Sequence, residues 1–290
     1  MSHPWITGAR PRTLPAAIVP VAVGTGVAVH EHGAVWWKAG LALVVSLGLQ
    51  VGVNYANDYS DGVRGTDDVR IGPARLVGGG VKPAAAVKRA ALASFALAAA
   101  AGIVLTVTTT VWLLPVGAAA VLAGWFYTGG PRPYGYAGLG ELFVFVFFGV
   151  VATAGTAFVQ THDLTALAMV ASVPVGLLAC ALLVVNNLRD IPGDTVAGKR
   201  TLAVRLGDPP TRVLFAALVI AACALAGAVA AVAGNLMPIV AAAALGAGVP
   251  ALRAVRGGAR GPGLIPVLGA TGKVQLAFGA LLTLGLVLSS

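Results

Sequence analysis

Apolar runs recur along almost the whole chain, at approximately 13–30, 36–57, 89–108, 111–127, 139–157, 165–187, 211–232, 237–254 and 268–288. A bilayer core needs about 20 apolar residues per helical crossing, and inside it only helices or closed barrels satisfy every backbone N–H and C=O. The expectation is an all-α polytopic bundle of nine transmembrane helices forming one domain over 1–290. Charged residues make up only 10% of the chain, against about 25% in soluble domains, which excludes a large soluble domain and intrinsic disorder. The division of the third run from the fourth, at Thr108-Thr109-Thr110, rests on length alone.

The formal net charge is +9, yet the 19 Lys and Arg sit in short segments between apolar runs rather than in a patch suited to nucleic acid. Basic residues mark the cytoplasmic side of membrane proteins. With the N-terminus inside, nine spans leave Lys38 as the one basic residue on the outer side, so the C-terminus is predicted to be external. Trp36, Trp37, Trp112 and Trp125 lie near span ends, as an interfacial aromatic belt requires. Cys180 and Cys223 fall inside apolar runs among small neighbours and read as packed free thiols.

The ten acidic residues are less evenly spread. Asp58, Asp61, Asp67 and Asp68 follow the second run, after Asn54-Tyr55-Ala56-Asn57, and Asp190 and Asp194 follow the sixth, after Asn186-Asn187-Leu188-Arg189. Both clusters fall at the cytoplasmic ends of spans four helices apart, an offset that suggests two related four-helix halves plus a ninth helix. At about 100° per residue, Asn54, Asn57, Asp58 and Asp61 occupy little more than a quadrant of a continued helix. Asp190 and Asp194 are spaced i, i+4, although Pro192-Gly193 predicts a break between them. Carboxylates gathered at a membrane boundary repel one another, and divalent cations relieve this. Mg²⁺ binds through one or two carboxylates, keeps waters, and takes further oxygens from phosphates. Two opposed acidic ridges therefore suit a metal-bound diphosphate. Asp67, Asp68 and Asp208 read equally well as solvated loop acids, and Glu141 as a favourable charge at a helix start.

At Asn54-x-x-Asn57-Asp58-x-x-Asp61 and Asp190-x-x-x-Asp194 the chain resembles the UbiA-type intramembrane aromatic prenyltransferases. Further blocks are similar to the 1,4-dihydroxy-2-naphthoate polyprenyltransferases of menaquinone synthesis. These are Arg10-Pro11-Arg12-Thr13-Leu14-Pro15-Ala16, Gly65-Thr66-Asp67, Arg70-Ile71-Gly72-Pro73-Ala74-Arg75, Phe126-Tyr127-Thr128-Gly129-Gly130 and Gly198-Lys199-Arg200-Thr201-Leu202-Ala203-Val204-Arg205. The stretch Pro131 to Tyr136 departs from the pattern, because some relatives carry a lysine near position 135.

The resemblance implies a cavity open toward the cytoplasmic leaflet and sideways into lipid. It implies transfer of a polyprenyl group from polyprenyl diphosphate to 1,4-dihydroxy-2-naphthoate, with loss of CO₂ and diphosphate, to give demethylmenaquinone at the cell membrane. By motif position, Asp58, Asp61, Asp190 and Asp194 would carry Mg²⁺, with Asn54 and Asn57 in support. Asn187, Arg189, Lys199 and Arg64 would face substrate diphosphate, and Tyr127 and Tyr134 would line the region of the allylic cation. The alternatives are a related enzyme with another acceptor, such as 4-hydroxybenzoate, homogentisate, haem or a phosphoribosyl compound, and a secondary transporter. Transporter sites normally lie near the bilayer midplane, whereas these acids lie at one surface.

Overall fold

The computed structural model describes residues 3–66 and 75–290. Asp67, Asp68 and the Arg70-Ile71-Gly72-Pro73-Ala74 block lie outside the described residues. The described chain is all helical. Nine main helices follow in order: α1 (Pro15–His30), α2 (Trp36–Arg64), α3 (Ala84–Thr108), α4 (Leu113–Phe126), α5 (Gly140–Thr161), α6 (Ala166–Val196), α7 (Asp208–Val232), α8 (Met237–Arg256) and α9 (Gly261–Val287). Seven are long and apolar enough to cross a membrane alone. The segment Pro4–Thr13, bent by 52° from α1, supplies an eighth crossing if the pair counts as one span. With 14 residues, α4 is shorter than a full crossing, so nine is an approximate count of spans for a bundle of the expected class.

The helix ends have local causes. The uncertain boundary between α3 and α4 falls at Thr109, where φ of −130° and ψ of −72° leave helical geometry. Gly65, with φ of 72°, closes α2 in the left-handed conformation that a side chain disfavours. α2 therefore runs seven residues past its expected end, and its Asn and Asp residues all stand on one continuous helix. α6 corrects the expectation of a break at Pro192-Gly193, since helix continues through both to Val196. Proline costs that turn one backbone hydrogen bond without ending it, so Asp190 and Asp194 do share a face.

α1 packs against α2, α5, α6 and α9, which makes it the centre of the bundle. α6 packs on α5, α7 and α9, whereas α4 rests mainly on α2 and α3. Small residues permit the closest approaches: a Cβ on Gly149 of α5 would lie 2.6 Å from Gly176 Cα of α6, and one on Gly24 of α1 would lie 2.3 Å from the Thr153 carbonyl oxygen. At the end opposite the acids, Lys38 is buried. Its Nζ donates to the Thr108 carbonyl and Thr109 Oγ1, both at 3.2 Å, and meets His162 Nε2 at 3.0 Å. The one basic residue expected on the outer side thus ties the ends of α3 and α5 to the start of α2.

Candidate active site between the two acidic helix ends

A cavity of about 1130 Å³ opens among α2, α4, α5 and α6. Its wall includes Asn54, Asn57, Asp58 and Asp61 of α2, Asn187, Arg189, Asp190 and Asp194 of α6, and Tyr127, Tyr134 and Lys199 from the intervening segments. From this polar end it continues past Val53, Leu49 and Val45 to Ala42. Nineteen residues separate Asp61 from Ala42 in one helix, which at 1.5 Å rise gives a shaft about 28 Å long, whose inner part from Val53 to Ala42 is apolar except for Gln50 and Ser46.

The two ends meet directly. Lys199 Nζ, just beyond α6, donates to Asp61 Oδ2 of α2 at 3.2 Å and lies 4.6 Å from the centre of the Tyr136 ring. Tyr136 donates its hydroxyl to Asp61 Oδ1. Burial works against the Lys199 cation, but the charge of Asp61, with Tyr136 and Asp194, outweighs it and holds the pKa above the ordinary lysine value. Burial, then the Asp61 charge, push the Tyr136 hydroxyl upward, so it stays a proton donor. Tyr136 was not among the residues singled out from sequence; its position beside Tyr134, in a loop that departs from the family pattern, was the available signal.

On α2 the other polar groups are also engaged. Asp58 accepts Leu76 N–H at Oδ2 and Val77 N–H at Oδ1, both at 3.1 Å. Asn57 accepts the Thr128 hydroxyl at 2.8 Å. Asn54 donates to the Ala9 carbonyl at 2.8 Å and to Thr13 Oγ1 at 3.2 Å, which holds the N-terminal segment over the cavity. Arg64 lies off the cavity wall: its guanidinium is committed to the Thr128 and Gly130 carbonyls, so it braces the loop after α4 rather than facing diphosphate.

On α6 the partners are nearer. Arg189 clasps Asp190 with two hydrogen bonds of 2.7 Å and also donates to Asn186 at 2.9 Å. Asn187 donates to Glu141 Oε1 at 3.0 Å, which gives that acid a structural tie from α5 to α6. Aromatic rings line the wall next to this end. Tyr134 stacks on Phe143 at 4.0 Å between centroids, Phe143 on Phe147 at 6.1 Å, and Tyr127 meets Tyr134 edge-on at 5.5 Å. Sequence reading missed Phe143 and Phe147, whose i, i+4 spacing after Glu141 puts both on one face. Gly135 donates its N–H to the Tyr127 carbonyl, and a Cβ there would lie 2.6 Å from that oxygen. A lysine at 135 does not fit this backbone.

Among the described residues no three His, Cys, Asp or Glu side chains converge on one point. The donor set still suits Mg²⁺, which needs one or two carboxylates and finds its remaining oxygens in water and phosphate. Asp58, Asp61, Asp190 and Asp194, with the amides of Asn54 and Asn57, offer such donors around one cavity. Asp208 lies elsewhere, paired with Arg212 Nε at 2.6 Å on the first turn of α7.

The UbiA prenyltransferase family profile matches residues 17–260. The chain is 51% identical over 276 residues to a 1,4-dihydroxy-2-naphthoate octaprenyltransferase of Mycobacterium tuberculosis, covering 94% of this chain and 93% of that protein. It is 40% identical to the Escherichia coli protein of the same name, over 74% and 72% of the two chains. In fold it resembles a UbiA homolog from Archaeoglobus fulgidus bound to GPP and Mg2+, with a TM-score of 0.71 at 16% identity over 98% and 99% of the chains. A UbiA homolog from Aeropyrum pernix gives 0.73 at 17% identity over 93% and 97%. With its apolar shaft, two facing acidic helix ends and the profile match across most of its length, this chain belongs to the UbiA prenyltransferase family.

Proposed function

We propose that this chain transfers a polyprenyl group from polyprenyl diphosphate to 1,4-dihydroxy-2-naphthoate, releasing CO₂ and diphosphate and forming demethylmenaquinol, the reduced form of demethylmenaquinone. The observation that carries the reading is the joining of the two acidic helix ends by Lys199 at the mouth of a long, mainly apolar shaft, in a chain half identical to a relative of that activity.

The shaft takes the isoprenoid tail and the polar end takes the diphosphate. Lys199 donates to diphosphate oxygens, and Arg189 turns from Asp190 to do the same. Asp58, Asp61, Asp190 and Asp194, supported by Asn54 and Asn57, are the residues that would hold Mg²⁺, whose charge would stabilise the leaving diphosphate. As the allylic C–O bond breaks, its electron pair leaves with the diphosphate. The rings of Tyr127, Tyr134, Phe143 and Phe147 present their electron-rich faces to the cation that remains, and the apolar wall excludes water that would capture it. The naphthoate ring carbon bearing the carboxylate forms the new C–C bond; CO₂ then departs, and the electrons of its C–C bond restore the aromatic ring. Asn187 keeps the wall between α5 and α6 closed through Glu141.

The whole chain acts as one domain in the cell membrane, with its N-terminus and acidic helix ends cytoplasmic and its C-terminus external, the arrangement favoured by the basic residues. The test supplies purified protein with one radiolabelled polyprenyl diphosphate, Mg²⁺ and a panel of aromatic acceptors, and identifies products by mass. Prenylated naphthoquinol lacking the carboxyl group is expected. A prenylated 4-hydroxybenzoate as the main product would overturn the choice of acceptor, and diphosphate release unaffected by chelation would overturn the role of Mg²⁺.

A further inference from the structure

A second concavity, of about 400 Å³, lies on the outer surface of the bundle and is lined by Arg12, Ile265, Pro266, Gly269, Ala270 and Lys273. It forms where the turn Pro11–Thr13 settles onto α9. Gly272 makes this contact possible, since a Cβ there would lie 3.2 Å from the Arg12 carbonyl oxygen. Arg12 and Lys273 are thereby brought to one groove. Both side chains are exposed, and neither has a hydrogen-bond or ion-pair partner among the described residues. No acid contributes to the lining.

The position of the groove identifies the medium it faces. From 273 onward the exposed residues of α9 are Lys273, Leu276, Ala280, Leu284 and Val287, spaced by three or four, so they form one stripe on the lipid side. Lys273 is the single charge in that stripe. A cation there is costly unless its stem lies along apolar surface and its head reaches the phosphate level of the bilayer. Arg12 and Ile265 also line the catalytic cavity, which places the groove at the same membrane surface as the acidic helix ends. Its floor has room for an occupant, because a Cβ on Gly269 would meet nothing within 4 Å.

We propose that this groove binds an anionic phospholipid of the leaflet next to the acidic clusters. Arg12 and Lys273 grip its phosphate, and Ile265, Pro266 and Ala270 lie under the glycerol and first acyl carbons. A headgroup held here pins the turn that carries Thr13, the partner of Gln50 and Asn54 in the cavity wall. The site is independent of the acceptor used in catalysis.

Native mass spectrometry of the purified full chain, incubated with phosphatidylglycerol in excess phosphatidylcholine, tests this. Wild type is expected to retain one phosphatidylglycerol in preference to phosphatidylcholine, and less of it as salt is raised. Lys273→Gln removes a charge-assisted contact, and Gly269→Phe fills the groove from the lipid side; each is expected to lower retention about tenfold. Prenyl transfer by Lys273→Gln in neutral lipid should match wild type, which also confirms that the variant is folded. Equal retention by wild type and both variants, or no preference of the wild type for phosphatidylglycerol, would overturn the proposal. Displacement of bound phosphatidylglycerol by inorganic diphosphate in wild type and Lys273→Gln alike would also overturn it, by locating the lipid in the catalytic cavity.

Discussion

The acids at the end of α2 and those at the end of α6 are similar in type and spacing but are held in different ways. Asp58 and Asp61 are almost fully buried, at 1% and 5% exposure, and their partners come from 18, 19, 75 and 138 residues away. The Asp190 side chain is nearly as buried, at 10% exposure, but its guanidinium partner is the preceding residue on the same helix. The α2 acids therefore organise the loop after α2, Tyr136 and the segment after α6. Asp190 finds its guanidinium within α6 itself, where exchange for a ligand needs only a side-chain rotation of Arg189. One ridge is tied across the fold, and the other carries its arginine on its own helix.

Two substitutions should break this contrast most visibly. Asp58→Ala and Asp190→Ala are each expected to abolish prenyl transfer, because no neighbouring carboxylate occupies an equivalent position. They should differ in stability. Asp58→Ala orphans the N–H groups of Leu76 and Val77, at about 1–3 kcal/mol for each buried group, so its thermal midpoint should fall well below that of Asp190→Ala. Thermal unfolding in detergent beside a turnover assay makes the comparison. Equal midpoints would mean that Asp58 does not anchor the loop, and wild-type turnover in either variant would remove that acid from the site.

The next effect in size belongs to the bridge between the ridges. Lys199→Met should lower turnover by roughly two orders of magnitude, since a buried cation aimed at developing negative charge is lost together with the partner of Asp61. Lys199→Arg should recover only part of it, because the broader guanidinium does not match the pocket between Asp61 and the Tyr136 ring. Steady-state kinetics with varied polyprenyl diphosphate would show whether the loss falls on kcat, as expected, or on KM alone.

Asp208→Ala marks the small end of the scale. Its carboxylate is exposed enough to be screened and is paired i, i+4 with Arg212 on the first turn of α7, away from the cavity. Turnover should stay within about twofold of wild type. A large loss would show that the acids outside the two ridges also matter.

How much of this was legible in sequence depended on whether a residue's partner was near in the chain. The apolar runs placed all nine helices, and helical periodicity put Asn54, Asn57, Asp58 and Asp61 on one face, since both signals are local. The overrun of α2 to Arg64 and the continuity of α6 through Pro192 were not legible. Tertiary packing at those ends outweighs local breakers, and a run of polar residues hides a helix whose polar face lines a cavity. The commitment of Arg64 to two loop carbonyls, the tie between Asn187 and Glu141, and the meeting of Tyr136 and Lys199 over Asp61 all depend on residues 46 or more positions apart. The family resemblance supplied what spacing could not, namely the acceptor.

That acceptor is the centre of the functional account, and 1,4-dihydroxy-2-naphthoate labelled in its carboxyl carbon probes it directly. Purified protein in lipid, given polyprenyl diphosphate and Mg²⁺, should release the label as CO₂ in step with the appearance of unlabelled prenylated product. 4-Hydroxybenzoate should serve as a much poorer acceptor, because it lacks the second ring and the apolar area that ring buries. Label retained in the product, or equal use of the two acceptors, would contradict the account.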